Sequence, residues 1–194
     1  IILLPVVVSF LLLLPSVQTY LVKKVALELS QTYHAEITVS SVYVSPMGRI
    51  SLNQILVRDL QGDSMLYASR VRGSIKNISF SKQQVALRMV SIEEPFVRLV
   101  KNDSVYNFSF LFSAPDTSTT KLWHIETAAF ELLNGSFRFV SNDTVKRNTK
   151  FDVSNIRVDN LNMLMKQIAV TPDSIAFNLE HLSFNEASGA KVTN

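Results

Sequence analysis

A chain of 194 residues is long enough for about one domain, and 47% hydrophobic against 18% charged residues leaves little charge for a water-facing surface. The net charge of +3 comes from Lys and Arg that are mostly scattered singly, with no basic stripe interleaved with aromatics, so nucleic-acid binding has little support. The absence of cysteine excludes disulfides, thiolate metal sites and cysteine nucleophiles, and leaves the compartment open.

Much of the apolar excess lies at the start. Residues 1–22 hold no charged side chain, and Ile1 to Leu14 is apolar except for Pro5 and Ser9. A bilayer core is crossed by roughly 20 apolar residues in a helix, so 1–22 is expected to be a transmembrane anchor. A signal peptide is the main rival, but no small-x-small cleavage site follows Leu14; a buried soluble helix is the third reading. Past Pro15 the period changes. Val17, Leu21, Val25 and Leu29 recur every four residues beside Val22, Ala26 and Tyr33, which predicts an amphipathic helix over 16–35 capped by Ser16. Its stripe is expected to cap the first strands. Lys23 and Lys24 are candidates for contact with lipid phosphates at a membrane surface.

From Glu36 onward one spacing recurs: apolar, any, apolar, two polar, apolar, any, apolar. It occurs at Ile37-Val39-Val42-Val44, Ile50-Leu52-Ile55-Val57, Phe151-Val153-Ile156-Val158 and Phe177-Leu179-Leu182-Phe184. A fifth copy, Gly73-Ile75-Ile78-Phe80, has glycine in first place. Period 2 means a strand with one apolar face, and the extra central residue predicts a bulge that returns the second half to the same face and bends the strand.

Turn signals such as Ser45-Pro46-Met47-Gly48, Gln61-Gly62-Asp63, Glu93-Glu94-Pro95 and Asn134-Gly135 divide the strands, and neighbours in sequence are expected to pair antiparallel. The polar, Thr/Ser-rich stretch 114–121 is a loop between a first β segment, 36–113, and a second, 122–194. Ile50 to Leu60 aligns with Phe151 to Leu161, a weak internal repeat that suggests an extended, stacked architecture. The chain starts at Ile1 without Met and stops at Asn194 just past an apolar-alternating stretch, which reads as an N-terminal piece of something longer.

Catalytic chemistry finds no constellation here. His34, His124 and His181 lie far apart, with no metal-ligand spacing, and Glu93-Glu94 sit on opposite sides of a strand. Neither a phosphate loop nor a nucleophile elbow is present, so no catalytic residue, metal or cofactor is expected. Asp-Ser/Thr-apolar occurs at Ser64, Ser104, Thr144 and Ser174, where turn preference is a sufficient account. The same pattern resembles the O-glycosylation acceptor of the Bacteroidota periplasm. Asn-x-Ser/Thr sequons begin at Asn77, Asn102, Asn107, Asn134 and Asn142 and would matter in a eukaryotic secretory setting.

The order of features resembles the N-terminus of the AsmA-like/TamB family of Gram-negative envelope proteins, in its Bacteroidota form. An apolar helix leads to Pro15-Ser-Val-Gln18-Thr-Tyr-Leu21, then Ile37-Thr-Val-Ser-Ser-Val42, Ile50 through Val57-Arg58-Asp59, Gly62-Asp63-Ser64-Met65-Leu66, Ile92-Glu-Glu-Pro95 and Tyr106-Asn107-Phe108. The resemblance covers about residues 1 to 112 and rests on order and spacing, since each motif is degenerate. It implies an inner-membrane anchor followed by an elongated, curved antiparallel β-sheet in the periplasm, a taco-shaped groove with an apolar inner face. It implies conduction of phospholipids toward the outer membrane, and partnership with a TamA/BamA-type outer-membrane barrel protein.

On that expectation the lipid contacts are the repeated positions Ile37, Val39, Val42, Val44, Ile50, Leu52, Ile55, Val57, Ile75, Ile78 and Phe80. The alternative is a membrane-anchored scaffold for outer-membrane β-barrel assembly, with the apolar face an ordinary core. A secreted β-sandwich adhesion module is a third, weaker reading.

Overall fold

The computed structural model of the chain describes residues 13–79, 81, 84–112, 124–142, 152–170 and 174–193. Helix α1 spans Pro15–Tyr33. The strands that follow are β1 (Ile37–Val44), β2 (Arg49–Arg58), β3 (Ser64–Ser79), β4 (Gln84–Glu93), β5 (Phe96–Asn102) and β6 (Val105–Tyr106), then β7 (His124–Ser141), β8 (Asn155–Val170), β9 (Ile175–Glu186) and β10 (Lys191–Val192). One short 3-10 turn, Ser109–Phe112, lies between β6 and β7.

The chain is mainly β. Its strands form one sheet in the order β1-β2-β3-β4-β7-β8-β9-β10, with β5 paired to β3 and β7, and β6 to β5. Two antiparallel meanders, β1 to β4 and β7 to β10, follow the turns as expected. The centre departs from the expectation of antiparallel neighbours. β4 and β5 lie end to end, and β7 runs parallel to both without change of register, from Gln84↔His124 to Lys101↔Ser141. Glu94 N–H donates to Leu133 O (2.8 Å) and Ser136 N–H donates to Pro95 O (2.7 Å), so β7 holds both sides of the Glu94-Pro95 break in line. A parallel neighbour needs a long crossover, which residues 103–123 are long enough to supply.

Among the described residues no helix is long and apolar enough to cross a membrane. Residues 1–12 of the expected anchor lie outside the described residues, while 15–22 belong to α1 and are tied to the sheet. Leu14, not Ser16, is the N-cap residue; Pro15 follows it, and no side chain caps this end. His34 closes the helix in the left-handed conformation.

The helix also meets the sheet by a different side from the one its stripe predicts. An edge strand exposes unpaired N–H and C=O groups that must find partners or be covered. The Gln18 amide donates to Val44 O (2.9 Å) and accepts from Val44 N–H (2.7 Å). The Thr19 hydroxyl donates to Val42 O (3.2 Å) and accepts from Val42 N–H (3.1 Å). Ser30 does the same for Ile37, at 3.1 and 2.9 Å. Three polar side chains thus act as the missing neighbour of β1. Gln18 and Ala26 are buried, whereas Leu21, Val25 and Leu29 stay exposed.

The recurrent spacing governs the strands themselves. Besides Asp103 in the β5–β6 turn, left-handed residues occur inside or between strands at Gln54, Glu94, Asn134, Asn160 and Gln167. Each is the second of the two central residues of a copy: Leu52-x-x-Ile55, Ile92-x-x-Pro95, Leu132-x-x-Gly135, Val158-x-x-Leu161 and Met165-x-x-Ile168. A left-handed residue turns the chain so that the next apolar side chain falls on the original face, which is the role expected of the bulge. At Gln54 the insertion leaves the ladder in step, because β1 and β3 carry the same odd spacer: Val39↔Ile55↔Ala68 on one side, Val42↔Leu52↔Val71 on the other.

One copy was misplaced by sequence. Val153 sits in a turn, 52% exposed, with Ser154 and Asn155 N–H donating to Asp152; Phe151 lies outside the described residues. The copy in β8 is Ile156-Val158-Leu161-Met163. The proposed internal repeat fails with it, since it aligns left-handed Gln54 with Asn155, whereas the left-handed residues of β8 are Asn160 and Gln167.

Two motif residues distant in sequence meet in the fold. Asp59 is buried; its carboxylate accepts from Gln61 N–H (3.1 Å), Asp63 N–H (2.9 Å) and the Asn107 side-chain amide (3.2 Å). Asn107 also binds Val100 N–H and Arg98 O. This knot ties the β2–β3 turn to the end of β5 and occupies the amide of one sequon.

Gln54 offers a direct test of the inserted residue. In an ordinary strand position Val is more stable than Gln, and Gln than Gly, over a span of about 1 kcal/mol. At a left-handed position the order should invert. Gln54→Gly should hold or raise stability in urea denaturation, and Gln54→Val should lower it by about 1–2 kcal/mol. The ordinary strand order at this position would contradict the assignment.

Candidate functional site, an apolar sheet face

Where neighbouring strands carry the odd spacer at the same level the apolar positions line up across the sheet, and where they do not the ladder shifts register to restore the line. One row runs Val42↔Leu52↔Val71↔Ile92↔Leu132↔Met163↔Leu182 through seven strands. The next runs Val44↔Ile50↔Gly73↔Val90↔Phe130↔Met165↔Leu179. Alternation puts these side chains on one face and their immediate neighbours on the other.

Eight of the expected contacts, Ile37, Val39, Val42, Val44, Ile50, Leu52, Ile55 and Val57, fall on this face in β1 and β2. Ile75 and Ile78 follow in β3, where the ladder to β4 is irregular around Ile75. Phe80 lies outside the described residues. The face extends well past these residues, because copies in β3 (Leu66-Ala68-Val71-Gly73), β4 (Val85-Leu87-Val90-Ile92) and β7 (Ile125-Thr127-Phe130-Leu132) join it. Among the described residues only Ala26, Ala35, Val42, Met65, Ala68 and Val100 are buried apolar ones, and no large side chain is completely buried. Strand neighbours half-cover the apolar row positions without a second layer pressing on them. At the β9 end Phe177 and Leu179 are about half exposed, at 51% and 50%.

The opposite face mixes apolar residues such as Leu56, Tyr67, Leu133 and Leu164 with a bonded polar ladder. Ser41, Asn53, Arg70 and Glu93 stand directly opposite one another in register, and each is joined to the next. The Asn53 amide donates to Ser41 Oγ (2.9 Å), Arg70 Nε donates to Asn53 Oδ1 (3.1 Å), and Arg70 Nη1 reaches Glu93 Oε2 (3.4 Å). Arg72 bonds the other Glu93 oxygen. The central polar residues of the motif therefore form a transverse ladder behind the apolar rows, a role the spacing alone did not disclose.

A second charged cluster lies on the same face in β7 and β8. Arg138 and Arg157 are paired across the ladder, a repulsive arrangement that Asp159 relieves, at 3.1 Å from Arg138 and 3.0 Å from Arg157. Burial alone would raise the Asp159 carboxyl, but the hydrogen bonds and positive charges of Arg157 and Arg138 outweigh it and hold the group below the usual carboxylate range.

Other expected positions stay apart from this face. Lys23 and Lys24 are exposed on α1; Ser64 opens β3, half-buried, and Ser104 and Ser174 are exposed beside turns, while Thr144 lies outside the described residues. The histidines do not converge: His34 ends α1, His124 bonds Glu126 (2.8 Å), and His181 lies in β9. Among the described residues no group of three or more potential metal ligands is assembled. Comparison of the chain with protein-family models and with curated proteins finds no match to either.

Asp159 carries a pH prediction. Its pKa is lower folded than unfolded, so its contribution is present above the unfolded value and is lost as pH falls through the folded one. Asp159→Asn should destabilise the protein by up to about 1 kcal/mol at neutral pH, the range of exposed ion pairs. Urea denaturation of variant and parent should converge at a pH below the carboxylate range. A difference that persists unchanged in acid would contradict this role.

Proposed function

We propose that the chain is the N-terminal part of an inner-membrane-anchored, bridge-like protein of the AsmA-like/TamB type, whose sheet conducts phospholipids through the periplasm toward the outer membrane. The observation that carries this reading is the unbroken alignment of apolar rows over seven strands with no second layer among the described residues. A large bare apolar face is a binding surface, and one continued strand after strand suits a ligand that moves along it. The inserted left-handed residues bend β2, β7, β8 and the β4–β5 break, and on this reading the sheet curls there into a groove with the apolar rows inside.

The mechanism is passive and needs no covalent step, cofactor or metal. An acyl chain leaving a bilayer for the groove exchanges one apolar surrounding for another. The burial free energy, about 0.8 kcal/mol per CH₂, nearly cancels between the two. Head groups stay in water at the open seam. Residues 1–22, uncharged throughout, would include the anchor, although Gln18 and Thr19 are bonded to β1. The membrane-spanning part therefore ends before them.

A second reading, a scaffold for outer-membrane β-barrel assembly, draws on the edge at β9. Among the described residues β10 covers only Phe184 and Asn185, leaving Ile175 to Leu182 paired on the β8 side alone. Such an edge can recruit a strand of a TamA/BamA-type barrel protein.

Leu52→Asp separates the two. It places a carboxylate in the middle of a seven-strand row, so lipid transfer between donor and acceptor vesicles should be abolished while folding and membrane attachment persist. Undiminished transfer by a folded Leu52→Asp protein would sink the conduit reading; a stable β region that carries no lipid favours the scaffold.

A further inference from the structure

We propose that α1 is a bracket between the sheet and a phospholipid bilayer, with its polar side fixed to the edge of β1 and its exposed apolar stripe lying in the bilayer interface. This deepens the conduit reading and rests on it for the purpose it assigns to the bracket.

The orientation of the helix follows from what lies on each side of the edge. Lys23, Ala26, Leu27 and Ser30 line a cavity along β1 that Ile37 and Val39 also border and that reaches across the sheet to Thr38, Leu56 and Tyr67. Those last three strand residues form a row between the apolar rows, Thr38↔Leu56↔Tyr67, and so belong to the opposite face. At 3.6 residues per turn Leu14, Leu21, Val25 and Leu29 fall on the flank opposite Lys23 and Leu27, the side toward the apolar face. All four are exposed, Val25 by 53%. The bare stripe of the helix thus continues the bare face of the sheet past its edge.

Three features favour a bilayer as the occupant. The stripe begins at Leu14, directly after the most apolar part of the sequence, and 1–22 contains no charge. The edge of β1 is already bonded by Gln18, Thr19 and Ser30, so a strand arriving there finds those backbone groups occupied. Lys24 borders the stripe beside Glu28, and its long stem can carry the ammonium to a head-group phosphate, while Lys23 stays on the aqueous flank. A helix held this way sets the β1 end of the apolar rows against the lipid from which acyl chains would enter.

The natural absence of cysteine permits a clean test. A polarity-sensitive fluorophore is attached to the full chain through Val25→Cys, Leu27→Cys or Leu52→Cys. Each protein is then reconstituted in vesicles of phosphatidylethanolamine and phosphatidylglycerol, with or without nitroxide-labelled lipid. The label at Val25 should shift to the blue and be quenched by the nitroxide lipid, and the label at Leu27 should remain aqueous. Equal, water-like signals from Val25 and Leu27 overturn the proposal. So does a Val25 signal that follows protein concentration and ignores the vesicles, which would assign the stripe to a second copy. The Leu52 label reads the conduit separately: a quenched Val25 with an unresponsive Leu52 removes the conduit but keeps the bracket, and the reverse removes the bracket alone.

Discussion

A strand in a ladder can change the face on which its alternating side chains fall only if its neighbours change with it. A single inserted residue in one strand breaks register, whereas the same insertion in every strand leaves register intact and displaces nothing. This sheet obeys that constraint over most of its width. The odd spacer between Val39 and Val42 is answered by Leu52 to Ile55, Ala68 to Val71, Ile92 to Pro95 and Leu132 to Gly135. The line of insertions crosses from β1 to β7, through a parallel junction as well as antiparallel ones; in β8 the insertion, Val158 to Leu161, lies one apolar step further along, and the β7–β8 ladder shifts register there.

The line gives each face its character. In front, apolar rows run unbroken because each strand resumes on the correct side. Behind, the residues of the spacer meet as Ser41, Asn53, Arg70 and Glu93, and bond in sequence across four strands. Glycine stands at the third apolar position of β7 for a steric reason. A Cβ on Gly135 would come within 2.7 Å of Leu132 Cδ2 and 3.1 Å of Pro95 Cγ. The sheet thus keeps its order without a second layer among the described residues: hydrogen bonds fix the register, and polar side chains on one face bond one another behind the apolar rows.

Sequence disclosed the spacing where both flanks are strongly apolar, as in β1, β2 and β9. It disclosed the second copy in β3, from Gly73, but hid the first, Leu66 to Gly73, where Ala68 holds an apolar position, and those in β7, where Thr127 and Gly135 do. In β8 the run Leu161-Asn-Met-Leu-Met165 masks the period, and Val153 supplied a false start in the preceding turn. The parallel course of β4/β5 and β7 was not legible, because Glu94-Pro95 reads as a reversal until β7 is seen holding both sides of it. The helix was found with nearly correct limits and the wrong inner side. Its stripe suggested burial against the strands, but the backbone groups of β1 outside the ladder make the stronger demand, and Gln18, Thr19 and Ser30 answer it.

The central claim is that the aligned apolar rows hold lipid. Leu132 and Leu133 test it most directly, since they are adjacent, chemically identical and on opposite faces of the middle of the sheet. A photo-activatable residue placed at each in turn, followed by irradiation in membranes and mass spectrometry, reports what touches each face. The account predicts phospholipid adducts at position 132 and none at 133. Equal capture at both, or capture at 133 alone, would contradict it.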